Sequence, residues 1–230
     1  MSRSLGFPRA YGGWSGQINA TAKRLLAAIL LILAASPLSV ASAAAVKLLA
    51  FGDSLTAGYG LPPGEGLTAQ LEKALRAEGL EVQVVNGGVS GDTTAAGLAR
   101  LDWALADKPD AVMLALGAND MLRGLDPKVA EANLDAMLGK LKAKGVPVLL
   151  VGMYAARNLG QDYVTRFDRI YPSLAEKHGV PLVPFMLEGV AGDVRLNQPD
   201  GIHPNAAGVA AVVRTLVGPV RQLVEAAGRG

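Results

Sequence analysis

The stretch KLLAFGDSLTAGYG, residues 47–60, runs an apolar segment straight into Gly52-Asp53-Ser54. The first half reads as a buried strand, and the glycine as its exit. A serine and an aspartate then stand where the strand stops. In open α/β sheets, ligands gather at the carboxyl ends of the strands. The fold therefore turns on whether the rest of the chain repeats this pattern.

It does. AVKLLAFG (45–52) is strand-like, and GLTAQLEKALRAEG (66–79) spaces Leu67, Leu71, Ala74 and Leu75 for one helix face, with Gly79 as the stop. LEVQVVN (80–86) alternates as a strand does, TTAAGLARLDWALAD (93–107) is helical, and DAVMLALG (110–117) is a continuous apolar strand. Asp126-Pro127 opens a helix that runs to about Lys144, followed by the strand VPVLLVGM (146–153). A helix over 163–179, a short strand over 180–185 and a helix over 205–227 close the chain. Apolar strands joined by helices imply a parallel sheet with helices on both faces. The expected fold class is α/β, with residues 44–230 forming one domain.

The N-terminal segment has another character. Lys23-Arg24 precedes the apolar run LLAAILLILAA (25–35), Pro37 breaks it, and Ala41-Ser42-Ala43 offers a small-residue cleavage site. Residues 1–43 therefore read as a secretory signal peptide, with an uncleaved anchor as the alternative, and the protein is expected to be exported, periplasmic or secreted. Four of the 22 basic residues and none of the 20 acidic ones fall in that segment. The remainder carries 18 basic against 20 acidic residues, a net of −2, which provides no global attraction for nucleic acid. Cysteine is absent, which excludes disulfides and thiolate catalysis. The sequon Asn19-Ala20-Thr21 lies in the segment expected to be removed and is given no weight.

Polar residues interrupt the apolar pattern most sharply at four places: Gly52-Asp53-Ser54, Asn86 to Asp92, Gly117-Ala118-Asn119-Asp120, and Asp200-Gly201-Ile202-His203-Pro204. A parallel sheet would bring them to one edge. A serine nucleophile needs a base within hydrogen-bond reach, and the base needs an orienting acceptor. His178 precedes Gly179 at a helix end, where a cation meets the negative end of the dipole, and reads as structural. His203 is the other histidine, with Asp200 three residues before it. The Ser54 N–H, the Gly91 N–H and the Asn119 amide could serve a developing oxyanion. Each feature alone has a plainer reading. Gly-Asp-Ser can be a turn, Asp92 a helix cap, Asn119-Asp120 a cap, and 200–204 a loop.

Taken in order, FGDSLTAG, VSGDT, GAND and DGIHP resemble the four sequence blocks of the SGNH hydrolases, also called the GDSL esterase/lipase family. The flanking text is most similar to the bacterial branch of thioesterases, lysophospholipases and arylesterases. The resemblance spans about residues 47–215. It implies a three-layer α/β/α sandwich on a five-stranded parallel sheet. It also implies Ser54 as nucleophile, His203 as base, Asp200 as its orienting partner, and Ser54, Gly91 and Asn119 as oxyanion donors. No metal or organic cofactor is implied. Asp120, Met121 and Leu122, and Tyr154, Asn158 and Leu159 in the loop MYAARNLG (153–160), are expected around the acyl pocket. That loop departs from the family's proline-containing pattern, and Ala118 replaces a glycine or threonine.

The implied activity is acyl hydrolysis of aryl and lipid-type esters, and of thioesters, with a small-molecule partner, a monomeric state and an open site of broad tolerance. A carbohydrate O-acetylesterase on the same site is the alternative, which the few aromatic residues disfavour. A binding module without chemistry would lack a catalytic residue, and none is missing. The G-x-G-x-x-G spacing of dinucleotide-binding folds and the G-x-S-x-G elbow of α/β-hydrolases are both absent. The role of Asp53 stays open.

Overall fold

The computed structural model describes residues 45–228. The expected signal peptide and the sequon fall outside these residues. Five strands form one sheet: β1 (Val46–Gly52), β2 (Val82–Gly88), β3 (Ala111–Ala115), β4 (Val148–Val151) and β5 (Leu182–Val183). Their order is β2-β1-β3-β4-β5, and every pairing is parallel. This is the expected α/β/α architecture.

The helices are α1 (Ser54–Ala57), α2 (Leu67–Ala77), α3 (Thr94–Ala104), α4 (Ala118–Leu122), α5 (Pro127–Ala143), α6 (Gln161–Asp168), α7 (Ile170–His178) and α8 (Ala206–Ala227). Alternation along β1 sends its side chains to two different cores. Leu49 and Phe51 join Val112, Leu114 and Leu150 against Leu101, Leu134, Phe167 and Leu174 from α3, α5, α6 and α7. Leu48 and Ala50 join Met113 and Leu149 against Leu71 and Leu75 of α2 and Val212, Leu216 and Val220 of α8. By length and composition α8 is apolar enough to cross a membrane. Its buried face is the one that covers the sheet, which accounts for that composition.

One expectation changes, and two of the plainer alternatives fall away. The helix over 163–179 is two helices that meet at Arg169. Pro172 has no N–H to donate to the carbonyl of residue 168, so a continuous helix would lose a bond there. Asp92 does not cap α3. Thr93 does, with its hydroxyl accepting from Ala96 N at 3.3 Å, while the Asp92 carboxylate turns to Arg100. Nor do Asn119 and Asp120 cap α4, whose N-cap is Gly117 at φ 122°.

Register places the functional edge. Gly52 is level with Gly88 on one side and with Ala115 on the other. Strands β2, β1 and β3 therefore end together, and the segments that follow them start side by side.

Candidate active site

Ser54 is the first residue of α1, immediately beyond β1. Asp53 caps that helix, its Oδ1 accepting from Leu55 N at 3.0 Å. Gly52 cannot be larger, because a Cβ there would lie 2.7 Å from the Ala115 carbonyl and 2.1 Å from Thr56 Oγ1. The glycine lets the chain turn tightly from β1 into α1 while staying against β3.

His203 comes from the long connection between β5 and α8. That connection is pinned by an isolated antiparallel bridge between Asn197 and Pro204, and by Gln198 N donating to His203 O at 2.7 Å. The buried Asn197 amide donates to the carbonyls of Val190 and Asp193 at 2.7 and 2.8 Å. The His203 ring thus stands on a braced loop. Its Nε2 lies 2.9 Å from Ser54 Oγ, across 149 residues of sequence. Its Nδ1 lies 2.7 Å from Asp200 Oδ2.

The other Asp200 oxygen accepts from the backbone N–H groups of Ile202 and His203, both at 3.0 Å. The bond from the His203 ring and these two N–H donors hold the Asp200 carboxyl down at about 2. A carboxylate that stays ionised fixes His203 with Nδ1 protonated, which leaves Nε2 free to accept the serine proton. Tyr59 tilts over the imidazole with ring centroids 4.6 Å apart. Gln198 holds the Tyr59 carbonyl by a 2.8 Å bond.

The turn over Val89–Asp92 is closed by Asp92 N donating to Val89 O at 3.1 Å. Gly91 has φ 86°, the left-handed value that the third position of a type II turn requires. Asn119, near the start of α4, donates through Nδ2 to Asp92 O at 3.0 Å. The Gly91 carbonyl accepts from Arg123 Nη2 at 2.7 Å. Asn119 and the turn are therefore fixed to each other beside Ser54.

Next to this cluster lies a cavity of about 420 Å³. Ser54, Asn119 and His203 are among its polar lining residues, and Leu55, Met121, Met153 and Phe185 are among its apolar walls. Met121, Leu122 and Tyr154 line it, as expected from sequence. Gly91 is outside that lining. Tyr154 stacks on Phe185 with centroids 4.8 Å apart. Asp168 anchors the loop by accepting from Ala155 N at 2.8 Å and pairing with Arg157 at 2.6 Å.

Asp120, Asn158 and Leu159 are placed elsewhere. The buried Asp120 carboxylate accepts from Thr94 N at 2.8 Å and from Thr94 Oγ1 at 2.6 Å, so it ties α4 to α3. Asn158 is exposed, and Leu159 packs on the core below the loop. His178 Nε2 pairs with Asp135 at 2.7 Å, and neither residue lines the cavity. Sequence reasoning missed Tyr59, Arg100, Asn197 and Gln198. Tyr59 lies within the opening stretch itself, and Arg100 is the cation between Leu98 and Leu101 in α3, so both left a faint signal.

Comparison with known proteins decides the family. The family model for GDSL-like lipase/acylhydrolases matches residues 50–211. The chain belongs to the GDSL-like lipase/acylhydrolase family. It is an esterase-type hydrolase. Over 166 residues it is 46% identical to the esterase TesA of Pseudomonas aeruginosa, covering 72% of this chain and 83% of that one. It is 45% identical over 168 residues to an arylesterase of Vibrio mimicus, covering 73% and 84%. It is 40% identical over 169 residues to the thioesterase 1/protease 1/lysophospholipase L1 of Escherichia coli, covering 73% and 80%. Among solved structures, a crystal structure of TesA matches with TM-score 0.74 at 42% identity, covering 77% of this chain and 99% of that one.

Proposed function

We propose that the protein hydrolyses carboxylic esters of aryl and lipid type, lysophospholipids included, and also acyl thioesters, through a Ser54-His203-Asp200 triad. The observation that carries the reading is the unbroken chain of contacts, Ser54 Oγ to His203 Nε2 at 2.9 Å and His203 Nδ1 to Asp200 at 2.7 Å, with Ser54 and His203 lining a largely apolar cavity. His203 takes the Ser54 proton as Oγ attacks the acyl carbonyl carbon. The carbonyl oxygen becomes an oxyanion, facing the Ser54 and Gly91 N–H groups and the Asn119 amide. The protonated His203 then gives its proton to the departing alcohol or thiol, leaving an acyl group on Ser54. Water, activated by the same imidazole, releases the acid and restores the serine.

The relatives' names support the substrate range: one is an arylesterase and another a thioesterase and lysophospholipase. A volume of about 420 Å³ with apolar walls suits an aliphatic acyl chain better than a sugar. Export follows the signal-like segment at residues 1–43, and the working unit is read as a monomer.

The test is hydrolysis of aryl esters from acetyl to palmitoyl by the purified protein, with S54A alongside. Turnover that peaks at medium or long acyl chains and is lost in S54A is expected. Undiminished turnover in S54A would remove the mechanism. Activity on acetyl esters alone would favour the deacetylase reading.

A further inference from the structure

Arg100 stands in the middle of α3 with a side chain only 18% exposed. Its Nε donates to Asp92 Oδ2 at 2.6 Å, and its Nη2 donates to the Gly52 carbonyl at 2.9 Å. The guanidinium carbon lies 4.1 Å from the centroid of the Phe51 ring. Gly52 is the last residue of β1, two residues before Ser54. Asp92 follows Gly91, and its carbonyl is the one held by Asn119. One guanidinium therefore joins the strand end that delivers the serine to the segment that carries the Gly91 N–H and accepts from the Asn119 amide.

Stability alone does not call for this arrangement. Withdrawing a cation and a carboxylate from water costs free energy that their attraction barely offsets, and an apolar side chain of equal volume often serves the core as well. What the pair adds is geometry. Arginine presents several donors in one rigid plane and can hold two acceptors at a fixed separation. A lysine ammonium is a point charge on a flexible stem. A displacement of about 1 Å in such a site can cost a hundredfold in rate.

We propose that Arg100 is a positioning residue for the oxyanion hole, setting the distance between Ser54 and the Gly91–Asn119 donors through Gly52 and Asp92. The proposal rests on the serine-hydrolase reading. It assigns Arg100 an effect on the transition state and none on ground-state binding of the ester.

The experiment compares the purified full chain with R100M and R100K, using an aryl butyrate as substrate and octylboronic acid as inhibitor. The boron accepts a lone pair from Ser54 Oγ, the serine proton passes to His203, and the tetrahedral boronate mimics the oxyanion. R100M is expected to lower kcat by about 30- to 100-fold with KM within about twofold, and to weaken boronate inhibition in the same proportion. R100K is expected to recover part of both losses. A kcat within about threefold of wild type in folded R100M would overturn the proposal. So would a loss that falls on KM while boronate inhibition is unchanged. Thermal melts report the folded fraction, and should R100M not fold, R100Q carries the same test against the same thresholds. If the wild-type chain turns over no ester, the hydrolase reading fails first and takes this proposal with it.

Discussion

Asp53 is buried beside the nucleophile candidate, and burial pushes its carboxyl up to about 6. A carboxyl with a folded-state pKa above its unfolded value binds more protons in the native protein. Folding stability from this group is therefore full at low pH and is lost as pH rises from about 4 through 6. D53N keeps an acceptor for Leu55 N and removes the charge. Urea unfolding at pH 4.5 and at pH 8 should show D53N gaining on wild type by on the order of 2–3 kcal/mol at the higher pH. An unchanged difference between the two pH values would contradict this. Asp200 has the opposite sign: its carboxyl is held down at about 2, so its contribution is present above the ordinary carboxylate range and is lost as pH falls toward about 2. Asn119→Ala should lower kcat by about 10²–10³ with little change in KM, measured by steady-state kinetics. At this scale the candidate site was largely legible, because Ser54 and Asn119 break an apolar pattern just beyond a strand, and Asp200 and His203 break it just before the last helix. Asp120 was misread because adjacent helix positions differ by about 100° in direction. Asn119 reaches the cavity, and its neighbour therefore turns inward to Thr94.

The element that matters most is α1, which is only four residues long and carries Ser54. It has little stability of its own and depends on its seat. Gly88, at the end of β2, forms that seat. A Cβ at Gly88 would lie 2.2 Å from Ala57 N, which is backbone and cannot rotate away. Gly88→Ala should destabilise the fold by roughly 1–3 kcal/mol and lower kcat with it, because α1 must shift. Thermal melts and kinetics on one sample would check both, and an unchanged kcat would show that the seat does not position Ser54. The strands were readable from their apolar runs, although β4 and β5 prove shorter than the runs suggest. The break between α6 and α7 was readable in principle from Pro172. The bracing of the 193–205 loop was not, because it rests on Asn and Gln side chains that bond to distant carbonyls.

At the scale of the whole molecule, one sheet separates two cores and every strand contributes to the division between them. Leu134 of α5 and Leu216 of α8 are both fully buried, on opposite faces. Leu134→Ala and Leu216→Ala should each cost about 2–5 kcal/mol. Because the two sites share no partner, their costs should add to within about 0.5 kcal/mol in the double variant. Denaturant unfolding with a single transition would show that the layers fold as a unit, and two transitions would show that they do not. The same architecture brings residues 54, 119 and 203 to one edge, and that convergence is the central claim. Its most direct measurement is reaction of the purified chain with an alkyl fluorophosphonate, followed by peptide mass analysis. One adduct, on Ser54, appearing in step with loss of esterase activity is the predicted result; an adduct on another residue, or full activity after labelling, would contradict the account.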